Sequence, residues 1–120
     1  MFNANFINKL SINFSKESNI FGYICIYNDN AIYKDNKIID MKINLKNHSP
    51  SGLSWGYNGS GCLQAALAIL CDFSNDEKFA LENYMDFKNE VMCNLPQKDC
   101  ILKYSDIQQW VNFRKLINDK

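Results

Sequence analysis

A net charge is the first thing this chain lacks: thirteen Lys and Arg balance thirteen Asp and Glu, with a single His. A protein that works mainly by coating a nucleic-acid backbone needs a cationic excess, so that class is disfavoured. The two halves differ little. Residues 1–60 hold six Lys against four acids, or +2, and residues 61–120 hold seven basic residues against nine acids, or −2. That asymmetry is too small to name a partner. No apolar run approaches the roughly 20 residues of a membrane-spanning helix, and no membrane contact is expected. The start, Met1-Phe2-Asn3-Ala4-Asn5-Phe6, has neither the basic stretch nor the continuous apolar stretch of a secretory leader. A cytoplasmic protein is expected.

Paired cysteine spacing is missing too. The five cysteines stand at 25, 62, 71, 93 and 100, with no C-x-x-C among them. An odd number without a secretory context reads as buried thiols, since free Cys behaves as a small hydrophobe. One His and scattered Cys lack the ligand pairs of a zinc site. No metal and no cofactor are therefore expected.

What is present is a globular composition: 120 residues, 47% hydrophobic and 13% aromatic. That length fits one domain, most of which run to about 100–150 residues. Residues 1–19 alternate weakly through Phe6, Leu10, Ile12 and Phe14 and predict a peripheral strand or short helix. Gly22-Tyr23-Ile24-Cys25-Ile26-Tyr27 is β-branched and aromatic, and Asn28-Asp29-Asn30 supplies a turn. Ala31-Ile32-Tyr33, a turn at Lys34-Asp35-Asn36-Lys37, and Ile38 to Ile43 complete a three-strand antiparallel meander. Such a meander needs a cover on one face.

The second half supplies the cover. Cys62 to Phe73 is apolar around nearly its whole circumference, the pattern of a buried central helix, with Ser60 as its expected N-cap. Ser74-x-x-Glu77 predicts a capping box for a second helix, whose face runs through Ala80, Tyr84, Phe87, Val91 and Leu95 to a stop at Pro96. Cys100-Ile101-Leu102 is a loop or short strand. Ser105-x-x-Gln108 predicts another capping box, with Ile107, Trp110, Val111 and Leu116 as the core face of the last helix. The expected fold is α+β: a small antiparallel sheet of three or four strands under about three helices.

Residues 46–61 stand apart. This run of sixteen holds four Gly, the single His, a Trp and a Tyr. Irregular segments longer than about 12–15 residues are uncommon in compact domains and are often functional. The run delivers Gly59-Ser60-Gly61 to a helix start, where free N–H groups and the positive dipole end suit an anion. The functional reading is a clamp for a ligand or partner: Gly59, Ser60 and Gly61 on a phosphate, Trp55 and Tyr57 stacking, Asn47 and His48 nearby. The competing reading is a helix approach packed by aromatic anchors. Neither a P-loop nor a G-x-G-x-x-G is present, since Cys62 and Leu63 stand where a Walker Lys would.

The same stretch resembles a family of short proteins found in prophages, plasmids and microbial genomes, classed as a domain of unknown function. Its hallmark is Asn-His-Ser-Pro, a Gly-[Phe/Leu] step, Trp-Gly-Tyr-x-Gly-Ser-Gly, then Gln and an Ala/Leu-rich helix ending in Asp. This chain carries Asn47-His48-Ser49-Pro50, Gly52-Leu53, Trp55-Gly56-Tyr57, Gly59-Ser60-Gly61, Gln64 and Asp72. Tyr84-x-Asp86-Phe87-Lys88, Leu95-Pro96 and Asp106-Ile107-x-x-Trp110 also match, so the likeness covers roughly residues 21–113. Cys62 departs from it, where Pro is common. The resemblance implies a shared fold and a mobile-element setting, and no activity.

Other candidates have plainer readings. His48 could pair with a thiol as a nucleophile, but no Cys has that context, and a hydrogen-bonded structural His is preferred. Asp72 could be a general base, yet no second carboxylate stands at a telling spacing, and a bond to the following turn is expected. Glu82, Asp86 and Glu90 recur every four residues as an acidic ridge that could mimic a phosphate backbone, or could simply be a solvated face. With no acid–base pair, metal cluster or activated nucleophile, the expectation is a non-catalytic binding protein. Its expected partner is a host protein or ribonucleoprotein such as a defence nuclease, which would make it an anti-CRISPR-type inhibitor. The alternative is a small phosphate-containing ligand or nucleotide at the Gly-Ser-Gly helix start. Oligomeric state is not readable.

Overall fold

The computed structural model describes residues 21–118, so the expectation for residues 1–19 lies outside the described residues. Strand β1 (Gly22–Ile26) pairs antiparallel with β2 (Ala31–Lys34), placing Cys25 opposite Ile32. The connection is a single 3-10 turn over Tyr27–Asp29, closed by Asn30 in the left-handed region at φ 50°. A second hairpin joins β2 to β3 (Lys37–Ile38) through Asp35 and Asn36, both at positive φ (52° and 67°). Two successive left-handed residues match the twist of a two-residue hairpin, which is why Asp-Asn serves there.

β3 is shorter than the predicted 38–43 strand. Lys42 turns left-handed at φ 62°, and its N–H is taken by the Asp40 Oδ1 at 2.7 Å. That side-chain bond offers the backbone an alternative to the ladder, and the chain leaves the sheet. On the other side, β4 (Cys100–Lys103) pairs antiparallel with β1, with Cys25 opposite Cys100, giving the order β3-β2-β1-β4. The loop-or-strand segment is therefore a strand, the fourth of the sheet among the described residues.

Helix α1 (Ser60–Ser74) lies in the core, buried nearly all round from Gly61 to Cys71. It packs with α2 (Glu77–Glu90) and with Tyr23, Cys25 and Ile32 of the sheet in one cluster. Helix α3 (Tyr104–Asn118) lays Ile107 and Val111 into the same cluster. Among the described residues, four antiparallel strands and three helices make an α+β fold, as expected.

The helix ends differ from the sequence expectation for local reasons. Gly59, extended at φ −154°, is the N-cap of α1, and Ser60 is its first helical residue. The Ser74 box is not used: α1 runs on to Ser74, whose hydroxyl donates to the Leu70 carbonyl at 2.6 Å. Asn75 then turns left-handed, and Asp76 becomes the cap of α2, its carboxylate accepting the Phe79 N–H at 3.0 Å. The Ser105 box is also unused. α3 follows β4 directly, the Tyr104 N–H still bonds the Phe21 carbonyl, and Gln108 reaches forward to Asn112. α2 stops at Glu90, well before Pro96, and a 3-10 turn over Met92–Asn94 follows. Leu116, expected in the core, is 62% exposed.

Candidate functional site

The segment from Asn47 to Gly61 is held from underneath by one side chain. Gln64, on the first turns of α1, is fully buried. Its Oε1 accepts the N–H groups of His48 (2.7 Å) and Ser49 (3.0 Å), and its Nε2 donates to the carbonyls of Met41 (2.6 Å) and Lys46 (3.0 Å). A primary amide has two donors and can accept twice at its oxygen, so Gln is the side chain that can bind both directions of backbone at once. The approach to the loop is thereby fixed.

His48 points away from the loop: its Nε2 and the Tyr84 hydroxyl are 2.8 Å apart, and burial raises the Tyr84 phenol above its ordinary value. Asn47 is exposed. Trp55 is 0% exposed, its Nε1–H donating to the Lys98 carbonyl at 3.0 Å and its ring meeting Tyr27 edge-on. The expected stacking role of Trp55 is thus corrected. A flat apolar ring with one donor is satisfied by a core position with a single carbonyl, and here it anchors the loop to the 95–99 segment. Gly56 follows at φ +85°, and its N–H bonds the Met92 carbonyl at 2.9 Å. That bond takes a carbonyl just beyond α2, where the predicted helix would have continued.

Past Gly56 the chain folds over the head of α1. The Tyr57 ring lies against Gly59, where an added Cβ would stand 2.5 Å from Cε2. The Ser54 N–H donates to the Gly61 carbonyl at 3.1 Å. Between these segments and Asn30 is an open hollow of about 360 Å³. It is lined by the four serines 49, 51, 54 and 60, by Asn30, by Tyr27 and by the 42% exposed Tyr57. Among the described residues, none with a charged side chain lines it. The first intrahelical bond of α1 is the Leu63 N–H to the Gly59 carbonyl, and Gly59 offers no side-chain cap. The preceding N–H groups of Ser60, Gly61 and Cys62 therefore sit at the positive end of a 15-residue helix without intrahelical partners.

So the hollow collects Tyr57, Ser60 and Gly61 from the predicted set, with Gly59 forming the turn beneath the tyrosine. His48 and Trp55 belong to its supports. Ser49, Ser51, Ser54, Asn30 and Tyr27 were missed as lining residues. Asn30 could be read only as a turn residue, because its approach to the loop is a tertiary contact, the Leu53 N–H to Asn30 carbonyl bond of 2.8 Å.

The acidic ridge is largely engaged within the fold. Arg114 of α3 bonds Asp86 at 2.7 Å and reaches the Asn83 Oδ1 at 3.3 Å, while the Trp110 Nε1–H donates to Glu90 at 2.9 Å. Glu82 is exposed. Two of the three carboxylates thus dock α3 onto α2. Asp72 is corrected as well. It accepts the Tyr23 hydroxyl at 2.6 Å and pairs with Lys34 at 3.4 Å, so it ties α1 to the sheet. Burial, and then that bond to Asp72, holds the Tyr23 phenol far above its ordinary value.

Among the described residues no helix is long and apolar enough to cross a membrane. No curated protein and no solved structure matches the chain. A family model does, over residues 24–113, a span that begins in β1 and ends in α3 and includes the whole loop and hollow. The chain belongs to that family, a family of unknown function (DUF6166).

Proposed function

We propose that the protein is a non-catalytic binding protein that holds a small phosphate-containing ligand, such as a nucleotide, in the hydroxyl-lined hollow at the head of α1. One observation carries this reading: serines from three stretches of the loop line a hollow at the helix start where α1 leaves its first N–H groups without intrahelical partners. Hydroxyls and helix-end N–H groups donate hydrogen bonds to anionic oxygens without a basic side chain. Tyr57, on the rim, offers the ring against which a base would stack. With no Lys or Arg in the lining, binding should depend on hydrogen bonding and the helix dipole, and only weakly on salt. A thermal-shift screen against inorganic phosphate, mononucleotides and cyclic oligonucleotides tests it. A rise in melting temperature with a phosphate compound is expected, and a flat screen would sink the reading.

A second reading keeps a host macromolecule as the target, as for an anti-CRISPR-type inhibitor from a phage or other mobile element acting in the host cytoplasm. The exposed apolar residues Phe113, Leu116 and Ile117 on α3 favour it, and the engaged carboxylates of the acidic ridge do not. Empty pull-downs from host lysate together with a null result in a defence-interference assay would remove it.

A further inference from the structure

Two pairs of thiols meet in this fold, and they differ in what can reach them. Cys25 and Cys100 face each other across β1 and β4, both fully buried in the core. Cys62 and Cys93 meet elsewhere, sulfur to sulfur at 3.6 Å, between the first turn of α1 and the 3-10 turn Met92–Asn94. Cys62 is buried, but Cys93 is only partly so. The second pair therefore joins one partly exposed cysteine to a buried one whose sulfur lies 3.6 Å away.

We infer that Cys62 and Cys93 are a reversible disulfide site, with Cys93 as the sulfur first attacked or attacking and Cys62 as the one that closes the bond. A disulfide oxidant such as oxidised glutathione supplies the chemistry. The Cys93 thiolate attacks one glutathione sulfur, forming a mixed disulfide and releasing one glutathione, which takes up the Cys93 proton. Cys62, losing its proton, then attacks the Cys93 sulfur and releases the second glutathione. Two thiols are oxidised by two electrons, and one glutathione disulfide is reduced to two thiols.

The order of the steps follows from the surroundings. Burial, then the bond to Cys93, pushes the Cys62 thiol up to about 12, with nearby Lys88 working against the rise. Such a thiol is a poor first nucleophile toward an oxidant in solution. Held against Cys93, it needs no diffusive encounter, and the local concentration of a neighbouring sulfur compensates for a small thiolate fraction. Closure requires the sulfurs to move from 3.6 Å to a bond of about 2.05 Å. Cys93 lies on a short 3-10 turn outside the long helices, where that adjustment is most readily made. The bond would tie the head of α1 to the turn whose Met92 carbonyl holds Gly56. The inference rests on the thiols alone and not on the ligand assigned to the hollow.

The test is thiol mapping of the full chain in excess oxidised glutathione, with alkylation, non-reducing digestion and mass spectrometry. One cross-linked peptide joining Cys62 to Cys93 is expected. Free thiols should fall from five to three, with Cys25, Cys71 and Cys100 all recovered in reduced form. Cys62→Ser should accumulate glutathione on Cys93 without a cross-link. Cys93→Ala, changed at the less buried position, should lose both the cross-link and the adduct. Five free thiols, a stable glutathione adduct on Cys93 in the unmutated chain, or a bridge between any other pair would overturn the assignment.

Discussion

The head of α1 and the seam between α2 and α3 are both rich in polar side chains, and the fold uses them in opposite ways. At the seam, charge is consumed: Asp86 is taken by Arg114, Glu90 by the Trp110 indole, and Arg114 also lies over the Trp110 ring. At the head of α1, Ser51, Ser60 and Tyr57 line an open hollow, while the residues that anchor the loop, Gln64 and Trp55, are fully buried. Two of the three carboxylates of a ridge legible in sequence are engaged within the fold. A set of uncharged hydroxyls without helical periodicity formed the cavity. A carboxylate finds a partner within the fold when a donor stands within reach, as Arg114 and the Trp110 indole do here, whereas among the loop serines Ser49 gives its hydroxyl to the Gly52 carbonyl and the exposed Ser51 and Ser60 remain at the rim.

The largest effect is expected of Trp55→Ala. If Trp55 is an anchor, its truncation should cost about 3–5 kcal/mol of stability, as for other buried aromatics, measured by urea unfolding. A fully stable variant that only loses ligand would restore the stacking role. Next comes Tyr23→Phe, which removes the hydroxyl from Asp72 and should cost about 1–2 kcal/mol at neutral pH. It also has a pH signature. The folded state holds the Tyr23 proton where the unfolded chain, with an ordinary phenol, releases it. The stabilisation is therefore full below about pH 10 and declines as pH rises above that, by up to about 1.4 kcal/mol per pH unit. Unfolding curves between pH 9 and about 11 should show a steeper decline for the unmutated chain than for Tyr23→Phe.

Smaller effects are expected at the helix ends and the seam. Asp76→Ala should cost about 1 kcal/mol through the lost cap bond to Phe79, whereas Ser105→Ala should change stability by less than about 0.5 kcal/mol. Asp86→Ala should cost no more than about 1 kcal/mol, because the carboxylate is 47% exposed and Arg114 keeps its bond to Asn83. A double-mutant cycle over Asp86 and Arg114 measures the pair directly.

These cases also show which parts of the fold sequence could reveal. The two hairpins were legible because Asn30, Asp35 and Asn36 adopt the left-handed backbone their side chains tolerate. The central helix was legible because no polar face interrupts it. Helix starts were not, since Ser74, Asn75 and Asp76 can each cap, and the choice among them depends on how far α1 continues. The burial of Trp55 was hidden because its acceptor, the Lys98 carbonyl, lies 43 residues away. The role of Gln64 was hidden for the same reason, with its partners at 41, 46, 48 and 49 brought together only by the tertiary path of the chain. Leu116 repeats the α3 core spacing but lies beyond Val111, the last residue of that helix buried in the cluster.

The central claim is that the head of α1 holds an anionic oxygen, and Ser60→Pro tests it most directly. Ser60 is the first residue of α1 and follows an extended Gly59, a position where proline fits the helix and removes one N–H donor and one hydroxyl. The measurement is the thermal shift of the unmutated chain and of Ser60→Pro over the same phosphate and nucleotide series. Equal melting temperatures are expected without ligand and, at about 100-fold above Kd, a stabilisation of about 2.7 kcal/mol in the unmutated chain that is lost in the variant. Equal shifts in both proteins, or none in either, would contradict it.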